Sequence, residues 1–159
     1  MRDGAVPAAG VDERDAIARL LVRYARSIDD GDVATAGLCF AEDAQAEYGG
    51  RSLEPGRAGI VDYLRARTAA LRASTHFMGN MSIDVEGAGA HAVTDGVAFL
   101  VFRPAAGDAA VIRVRGLRYD DVLTRGADGW QITRRTHQAR WMFDVPSVDP
   151  AAHRPDAGS

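Results

Sequence analysis

The chain has 159 residues, enough for one domain with a substantial core and a ligand pocket. Its formal net charge of -3 argues against a general nucleic-acid binder, which would need a basic face. All 19 basic residues are arginine, which excludes Schiff-base chemistry on lysine, and the single cysteine excludes an internal disulfide. No apolar run is long enough to span a bilayer and no signal peptide opens the chain, so we expect a cytoplasmic protein without a membrane partner.

Helices are predicted in the first half of the chain. Residues 1–11 are small and aperiodic and predict a flexible leader, and the first helix follows from Asp12 to Asp29. Its apolar side chains recur at helical spacing, opposite arginines that face water. The members of this apolar stripe are Ile17, Leu20, Leu21, Tyr24 and Ile28. Shorter helical patterns span Asp32–Phe40 and Gly56–Leu71, with a short strand over 41–48 between them.

The second half alternates apolar and polar residues with the period of a β-strand. The strand candidates span Thr75–Val85, His91–Arg103, Ala110–Leu123 and Gly129–Phe143. Short turns rich in glycine, aspartate or proline separate them, so neighbouring strands should be antiparallel. Helices followed by a meander predict an α+β domain over 12–144, with a C-terminal tail over 145–159. Such a sheet can curl around the helices and leave an apolar pocket.

Asp29 is the first candidate for a functional residue. It ends the first helix and continues a row of small and apolar side chains, Ala18, Val22 and Ala25. This position predicts partial burial and the need for a cationic or hydrogen-bonding partner. The alternative is that Asp29 and its neighbour simply end the helix before a glycine, although acids are unfavourable at a helix C-terminus.

His76 is the second candidate and a possible partner of Asp29. It lies in THFMGNMSIDVEG, where alternation predicts that His76, Met78 and Asn80 share one face of a strand. If this face meets the first helix, Asp29 would hold His76 in one tautomer and raise its basicity, as a general base requires. The alternative is a structural histidine.

The last strand, WQITRRTHQARWMFD, offers further candidates. Strict alternation places Arg135, His137 and Trp141 on one face, although a single bulge would exchange the two faces. Arg135 facing the pocket would stabilise an oxyanion or a departing anion, whereas elsewhere it is a solvated or interface arginine. For Tyr24 the choice is between a phenolic hydrogen-bond donor and a core residue. We predict substrate contacts for Asn80, Met78, His137 and Trp141, with a structural role as the alternative for His137.

No cofactor or metal is expected. The HExxH, GxGxxG, P-loop and GxSxG signatures are absent, and so are cysteine clusters. The single cysteine, Cys39, lies on an apolar helical pattern and is predicted to be a core residue. Any reaction would therefore depend on side chains alone.

Five segments, in chain order, resemble a SnoaL-like domain, a family of the nuclear transport factor 2-like superfamily. They are YARSIDDGD, LCFAEDA, STHFMGNMSIDVEG, RYDDVL and DGWQITRR. The resemblance extends over about residues 12–144 and implies a cone-shaped, curved, mostly antiparallel sheet wrapped around N-terminal helices. The superfamily includes cyclases, dehydratases, isomerases, dehydrochlorinases and proteins without known catalysis, so it leaves several activities open.

The motif spacing is most similar to the cofactor-independent lyases of this superfamily: scytalone dehydratase, bile acid 7α-dehydratase and hexachlorocyclohexane dehydrochlorinase. This resemblance implies that His76 removes a proton from a substrate carbon while Asp29 orients the imidazole. It also implies that Tyr24 polarises a substrate oxygen and that Arg135 assists a departing anion. The apolar segment GVAFLVF lacks the second acid of the bile acid enzyme, which favours a hydrophobic or aromatic substrate.

Two classes of function follow. The first is a lyase, or a polyketide cyclase or isomerase with the same His/Asp pair, acting on a small hydrophobic or polycyclic compound, plausibly in secondary metabolism. The second is a non-catalytic ligand-binding or scaffolding domain, in which the pair is a buried polar contact. The resemblance implies a homo-oligomer, most simply a dimer, in either case.

Overall fold

The computed structural model describes residues 9–104 and 110–147, with side chains from Glu13 onward. Most of the predicted leader and tail therefore lies outside the described residues. The helices are α1 (Ala9–Asp29), α2 (Val33–Gly37) and α3 (Arg57–Thr68). The strands are β1 (Phe40–Tyr48), β2 (Arg51–Ser52), β3 (Leu71–Glu86), β4 (Gly89–Phe102), β5 (Val111–Gly126) and β6 (Gly129–Pro146). Within these ranges, no helix has the length and apolar character needed to cross a membrane.

The long first helix buries the stripe predicted from its spacing. All five stripe residues are in the core, whereas Arg19, Arg23 and Arg26 are exposed. The helix begins at Ala9 rather than Asp12, so the small residues before Asp12 extend it. Its C-terminus at Asp29 agrees with the prediction and leaves that carboxylate facing β3, the strand against which α1 packs.

The second helix is shorter than predicted. Asp32 caps its N-terminus by accepting a hydrogen bond from the Thr35 N–H at 3.0 Å. It ends at Gly37, because Phe40 already belongs to β1 and pairs with Ile132 of β6. The predicted extension to Phe40 is therefore wrong: pairing with the sheet takes Phe40 out of the helical pattern.

The strands form one six-stranded sheet in the order β2-β1-β6-β5-β4-β3. Every pair is antiparallel except β1 with β6, which is parallel. The intervening helix and strands supply the long connection that a parallel pair needs. The curved sheet holds the helices against its inner face, which confirms the predicted α+β, cone-shaped, mostly antiparallel fold.

Several register shifts in the sheet change which side chains face inward, and two of them affect the predicted substrate contacts. The β3–β4 register shifts between Gly79 and Ser82, and Asn80 adopts a positive φ of 46° there. The β5–β6 register shifts opposite Gly116 and Leu117, where Arg140 has no Cα partner. Each bulge exchanges the faces of the residues beyond it.

Candidate active site

Asp29 and His76 meet at the end of α1. The His76 Nδ1 lies 2.6 Å from the Asp29 Oδ1, and the His76 backbone N–H donates to the Asp29 Oδ2 at 2.7 Å. The Ser74 hydroxyl donates to the Oδ1 at 2.8 Å. The His76 side chain is 5% exposed and that of Asp29 is 19% exposed. Both carboxylate oxygens are therefore occupied by β3, which fixes the imidazole ring in one orientation.

The protonation of this pair follows from its environment. Burial raises the pKa of Asp29, but the hydrogen bonds from the His76 ring, the His76 backbone and Ser74 together lower this pKa below its ordinary value. Asp29 is therefore ionised near neutral pH, and it accepts the proton on Nδ1. His76 is left with Nε2 as its basic nitrogen, which makes no hydrogen bond with the described residues.

His76 lines a cavity of about 130 Å³ between the helices and the inner face of the sheet. Side chains from α1, β1, α3, β4 and β5 form its wall, which combines apolar and aromatic surface with a few polar groups. The polar and aromatic members besides His76 include Tyr24, Tyr48, Tyr63, Tyr119, Arg67 and Arg115. A ligand in this cavity would contact His76 and several phenol groups together.

Tyr24 and Tyr48 form a pair of phenols at this wall. Their hydroxyl oxygens lie 2.9 Å apart, and both side chains are buried. Burial is the main reason that the pKa values of Tyr24 and Tyr48 are raised, and it also raises the pKa of Tyr119. These phenols stay protonated at neutral pH and can donate hydrogen bonds to a ligand oxygen.

Comparison with known protein families and sequences identifies the family of this chain. The SnoaL-like domain model matches residues 9–136. The chain belongs to the SnoaL-like family. An uncharacterized Mycobacterium tuberculosis protein (strain ATCC 25618 / H37Rv) is 32% identical over 130 residues, which are 80% of this chain and 85% of the relative.

Solved structures share the fold of this SnoaL-like domain at low sequence identity. A provisionally assigned scytalone dehydratase from Novosphingobium aromaticivorans superposes with a TM-score of 0.78 and 18% identity, covering 91% of this chain and 94% of that one. A hexachlorocyclohexane dehydrochlorinase from Novosphingobium barchaimii LL02 has a TM-score of 0.75 and 14% identity, with coverage of 88% and 97%. These matches establish the nuclear transport factor 2-like fold, as the sequence motifs indicated.

Arg135 of this SnoaL-like domain is not at the cavity wall. It is fully buried, and its Nε and Nη2 each donate to Asp121 at 2.7 Å. Its guanidinium carbon lies 4.2 Å from the ring centroids of both Tyr24 and Tyr119. The predicted direct contact with a departing anion does not fit this position, because Asp121 and the two rings enclose the cation.

His137 is also buried behind the wall rather than in it. Its ring stacks on Tyr48 with centroids 5.0 Å apart, and neither ring nitrogen has a hydrogen-bond partner among the described residues. Burial, together with the positive charges of Arg115 and Arg135, lowers the pKa of His137 to about 3. The ring is therefore neutral near pH 7 and does not line the cavity, in contrast to the predicted substrate contact.

The other three predicted substrate contacts lie in a separate groove. Met78, Asn80 and Trp141 line a groove of about 520 Å³ that does not include His76. Asn80 is exposed at the β3 bulge, and the β6 bulge turns Trp141 outward, where its side chain lies over Gly116. Strict alternation failed for Asn80 and Trp141 because an unpaired residue in each strand reverses the side-chain direction. Met78 precedes the β3 bulge and packs against the core from the edge of this groove.

Sequence reasoning missed Tyr48, Tyr119 and Arg115 as cavity residues. Tyr48 is the last residue of β1. Arg115 and Tyr119 both belong to the inner face of β5, in its period-two pattern. Their period-two pattern was visible, but nothing in it indicated that β1 and β5 would bring them next to His76. Among residues 9–104 and 110–147, no group of three histidine, cysteine or acidic side chains is placed to hold a metal ion.

Proposed function

We propose that this SnoaL-like domain is a cofactor-independent lyase that eliminates water or another leaving group from a small, largely hydrophobic substrate. The observation that carries this proposal is the Asp29–His76 pair at the wall of a cavity rich in tyrosine. A fixed imidazole with an ionised carboxylate on one nitrogen and a cavity beside the ring is suited to remove a proton from carbon.

The reaction begins with proton transfer from a substrate carbon to the Nε2 of His76. The electron pair of the broken C–H bond forms a C=C bond as the bond to the leaving group breaks. In a dehydration, the leaving hydroxide takes the proton back from the imidazolium and departs as water, so His76 returns to its neutral form. Asp29 stabilises the transient imidazolium, since its carboxylate lies 2.6 Å from Nδ1.

Tyr24 and Tyr48 would bind the substrate oxygen that activates this carbon. Both are protonated, and both line the cavity. A hydrogen bond from one of them would stabilise the negative charge that develops on a carbonyl oxygen as the proton leaves. Arg135 acts through Tyr24 as a positioning residue, because it stacks on that ring and has no place at the cavity wall.

A polyketide cyclase or isomerase would use the same first step. In those reactions the carbanion closes a ring or takes up a proton at another carbon instead of expelling a group. The pair also fits a non-catalytic ligand-binding or scaffolding domain, in which it would be a buried polar contact. The partly buried position of Asp29 and the three hydrogen bonds that it accepts are compatible with either.

The test is turnover of cyclic β-hydroxyketones, followed by absorbance of the conjugated enone, together with deuterium exchange at the α carbon in heavy water. We expect His76→Ala to reduce both rates about 100-fold to 10,000-fold, as loss of a general base does. Asp29→Asn should reduce both rates as well, because it removes the charge that stabilises the imidazolium. His91→Ala is the matched control, since His91 is an exposed histidine outside the cavity.

The outcomes separate the candidate functions. Exchange without enone formation would favour an isomerase or cyclase over a lyase. Equal rates of exchange in the wild type and His76→Ala would remove the catalytic role of the pair, and the binding-domain function would replace it.

We further propose that two copies associate through the outer face of the sheet. Large apolar side chains are exposed there, with Phe77 at 64%, Trp141 at 50% and Phe143 at 53%. Phe77 contacts Phe99 edge to face, and Trp141 stacks on Phe143. A contiguous apolar surface of this kind is typical of a protein interface, and a two-fold pair would bury the same surface on both copies.

A further inference from the structure

Arg115 and His76 face the same cavity from β5 and β3, the two strands on either side of β4. His76 of β3 pairs with Ala98 of β4, and Ala98 pairs with Arg115 of β5. Adjacent strands are about 4.8 Å apart, so the backbones of His76 and Arg115 are separated by about 10 Å. Both side chains line the cavity, and a ligand of one-ring size would reach both groups.

The charge of the cavity wall is positive. Arg115 and Arg67 are its charged residues, and among residues 9–104 and 110–147 no aspartate or glutamate lines it. Tyr24, Tyr48 and Tyr119 are protonated, and His137, behind them, is neutral. A ligand that enters this space therefore meets the cationic groups of Arg115 and Arg67.

Arg115 lacks the partners that comparable arginines have. Arg113 is bound by Asp144, Arg118 by Asp95 and Arg135 by Asp121, each through two nitrogens. Arg115 makes no side-chain hydrogen bond or ion pair with the described residues, and its Nε is buried without a partner. A buried donor without an acceptor is unfavourable, so an anionic ligand on Arg115 would remove this cost.

We propose that the substrate carries a carboxylate that Arg115 binds, and that a single-ring acid is the class of compound that fits. The planar guanidinium fork matches a carboxylate geometrically. The cavity of about 130 Å³ is close in size to an engineered cavity of about 150 Å³ that holds benzene. This inference rests on the proposed function in one respect: it places the acidic C–H of the same molecule at His76, with the carboxylate toward β5.

The inference is tested with ligands that cannot react, so it does not depend on turnover. Benzoate and benzamide have the same ring and differ in charge. Calorimetric titration at neutral pH and low salt should show benzoate binding about 10-fold to 100-fold more tightly to the wild type, as charged hydrogen bonds provide. Arg115→Gln should abolish this preference, whereas Arg115→Lys should retain part of it because the positive charge is kept.

A variant at another arginine serves as the control. Arg134→Gln removes the same charge from an exposed position on β6 and should leave the preference for benzoate intact. Neither ligand is turned over, so a failure of the lyase proposal would not imitate a failure here. Equal binding of the two ligands by the wild type, or an unchanged preference in folded Arg115→Gln, would overturn the carboxylate assignment.

Discussion

His137 is a neutral histidine inside a positively charged interior, and its effect on stability can be worked out from its pKa. The folded pKa of about 3 is below the usual value near 6.5, so the unfolded chain binds a proton in this interval while the folded chain does not. Stability should therefore fall as pH decreases from about 6.5 toward 3, with a slope approaching ~1.4 kcal/mol per pH unit from this group.

Chemical denaturation of the wild type and His137→Phe over this pH range measures the effect. The variant should lose this component of the pH dependence, because phenylalanine has no titrating group and can stack on Tyr48. His91→Gln replaces an exposed histidine and should preserve this pH dependence of stability. Identical pH profiles of the wild type and His137→Phe would contradict the assignment.

The buried ion pair of Arg135 and Asp121 makes a second prediction at the residue scale. Both side chains are fully buried. Burial lowers the pKa of Arg135, but the charge and hydrogen bonds of Asp121, together with Tyr48 and Tyr24, raise this pKa overall above its usual value. Asp121→Leu should reduce the free energy of unfolding by about 3–5 kcal/mol, because it leaves a buried cation without its carboxylate.

The matched control replaces both members of the pair. Asp121→Leu combined with Arg135→Met should recover most of the lost stability in urea denaturation, since no unpaired charge remains. A double variant as unstable as the single one would indicate that the pair contributes through shape or packing rather than charge balance.

At the scale of elements, α3 covers the cavity and its position depends on Gly59. A Cβ added there would lie 2.7 Å from the Cβ and 2.9 Å from the carbonyl carbon of Glu54, so backbone would have to move. Gly59→Ala should gain about 1 kcal/mol in helix propensity but lose about 1–3 kcal/mol through this contact. We therefore expect lower stability and weaker ligand binding, because Tyr63 and Arg67 of α3 shift with the helix.

Thermal denaturation and benzoate titration measure these two effects. Gly126→Ala is the control, since no atom lies within 4 Å of its added Cβ and its φ is not positive. Increased stability of Gly59→Ala would mean that the segment before α3 moves easily and does not determine the position of the helix.

At the scale of the whole molecule, the apolar outer face of the sheet predicts self-association. Replacing Trp141 and Phe143 with serine should raise the dimer dissociation constant at least 10-fold, as the loss of buried aromatic contacts does at interfaces. Sedimentation equilibrium over a range of protein concentrations measures this constant.

Leu38→Ser provides the matched control for association. Leu38 is also a large exposed apolar residue, at 56%, but it follows α2 and is not on the sheet. Its replacement should leave the dissociation constant unchanged. A wild-type chain that stays monomeric at high concentration would exclude the proposed interface.

The sequence by itself determined the order and type of the main elements and the pair at the centre of the site. Helical spacing identified the buried stripe of α1, and period-two alternation identified the four long strands. These patterns are local, since each depends on one element having a buried and a solvated face. Asp29 and His76 were found because each interrupts such a pattern with a residue that needs a partner, and the two are hydrogen-bonded.

Only the tertiary structure decided which other side chains reach that pair. Bulges in β3 and β6 turned Asn80 and Trp141 away from it, and Asp121 withdrew Arg135 into the interior. The parallel pairing of β1 with β6 and the curvature of the sheet brought Tyr48 and Arg115 to the cavity instead. These outcomes depend on contacts between residues far apart in the chain. The period of a single strand does not encode them, because one unpaired residue reverses its faces.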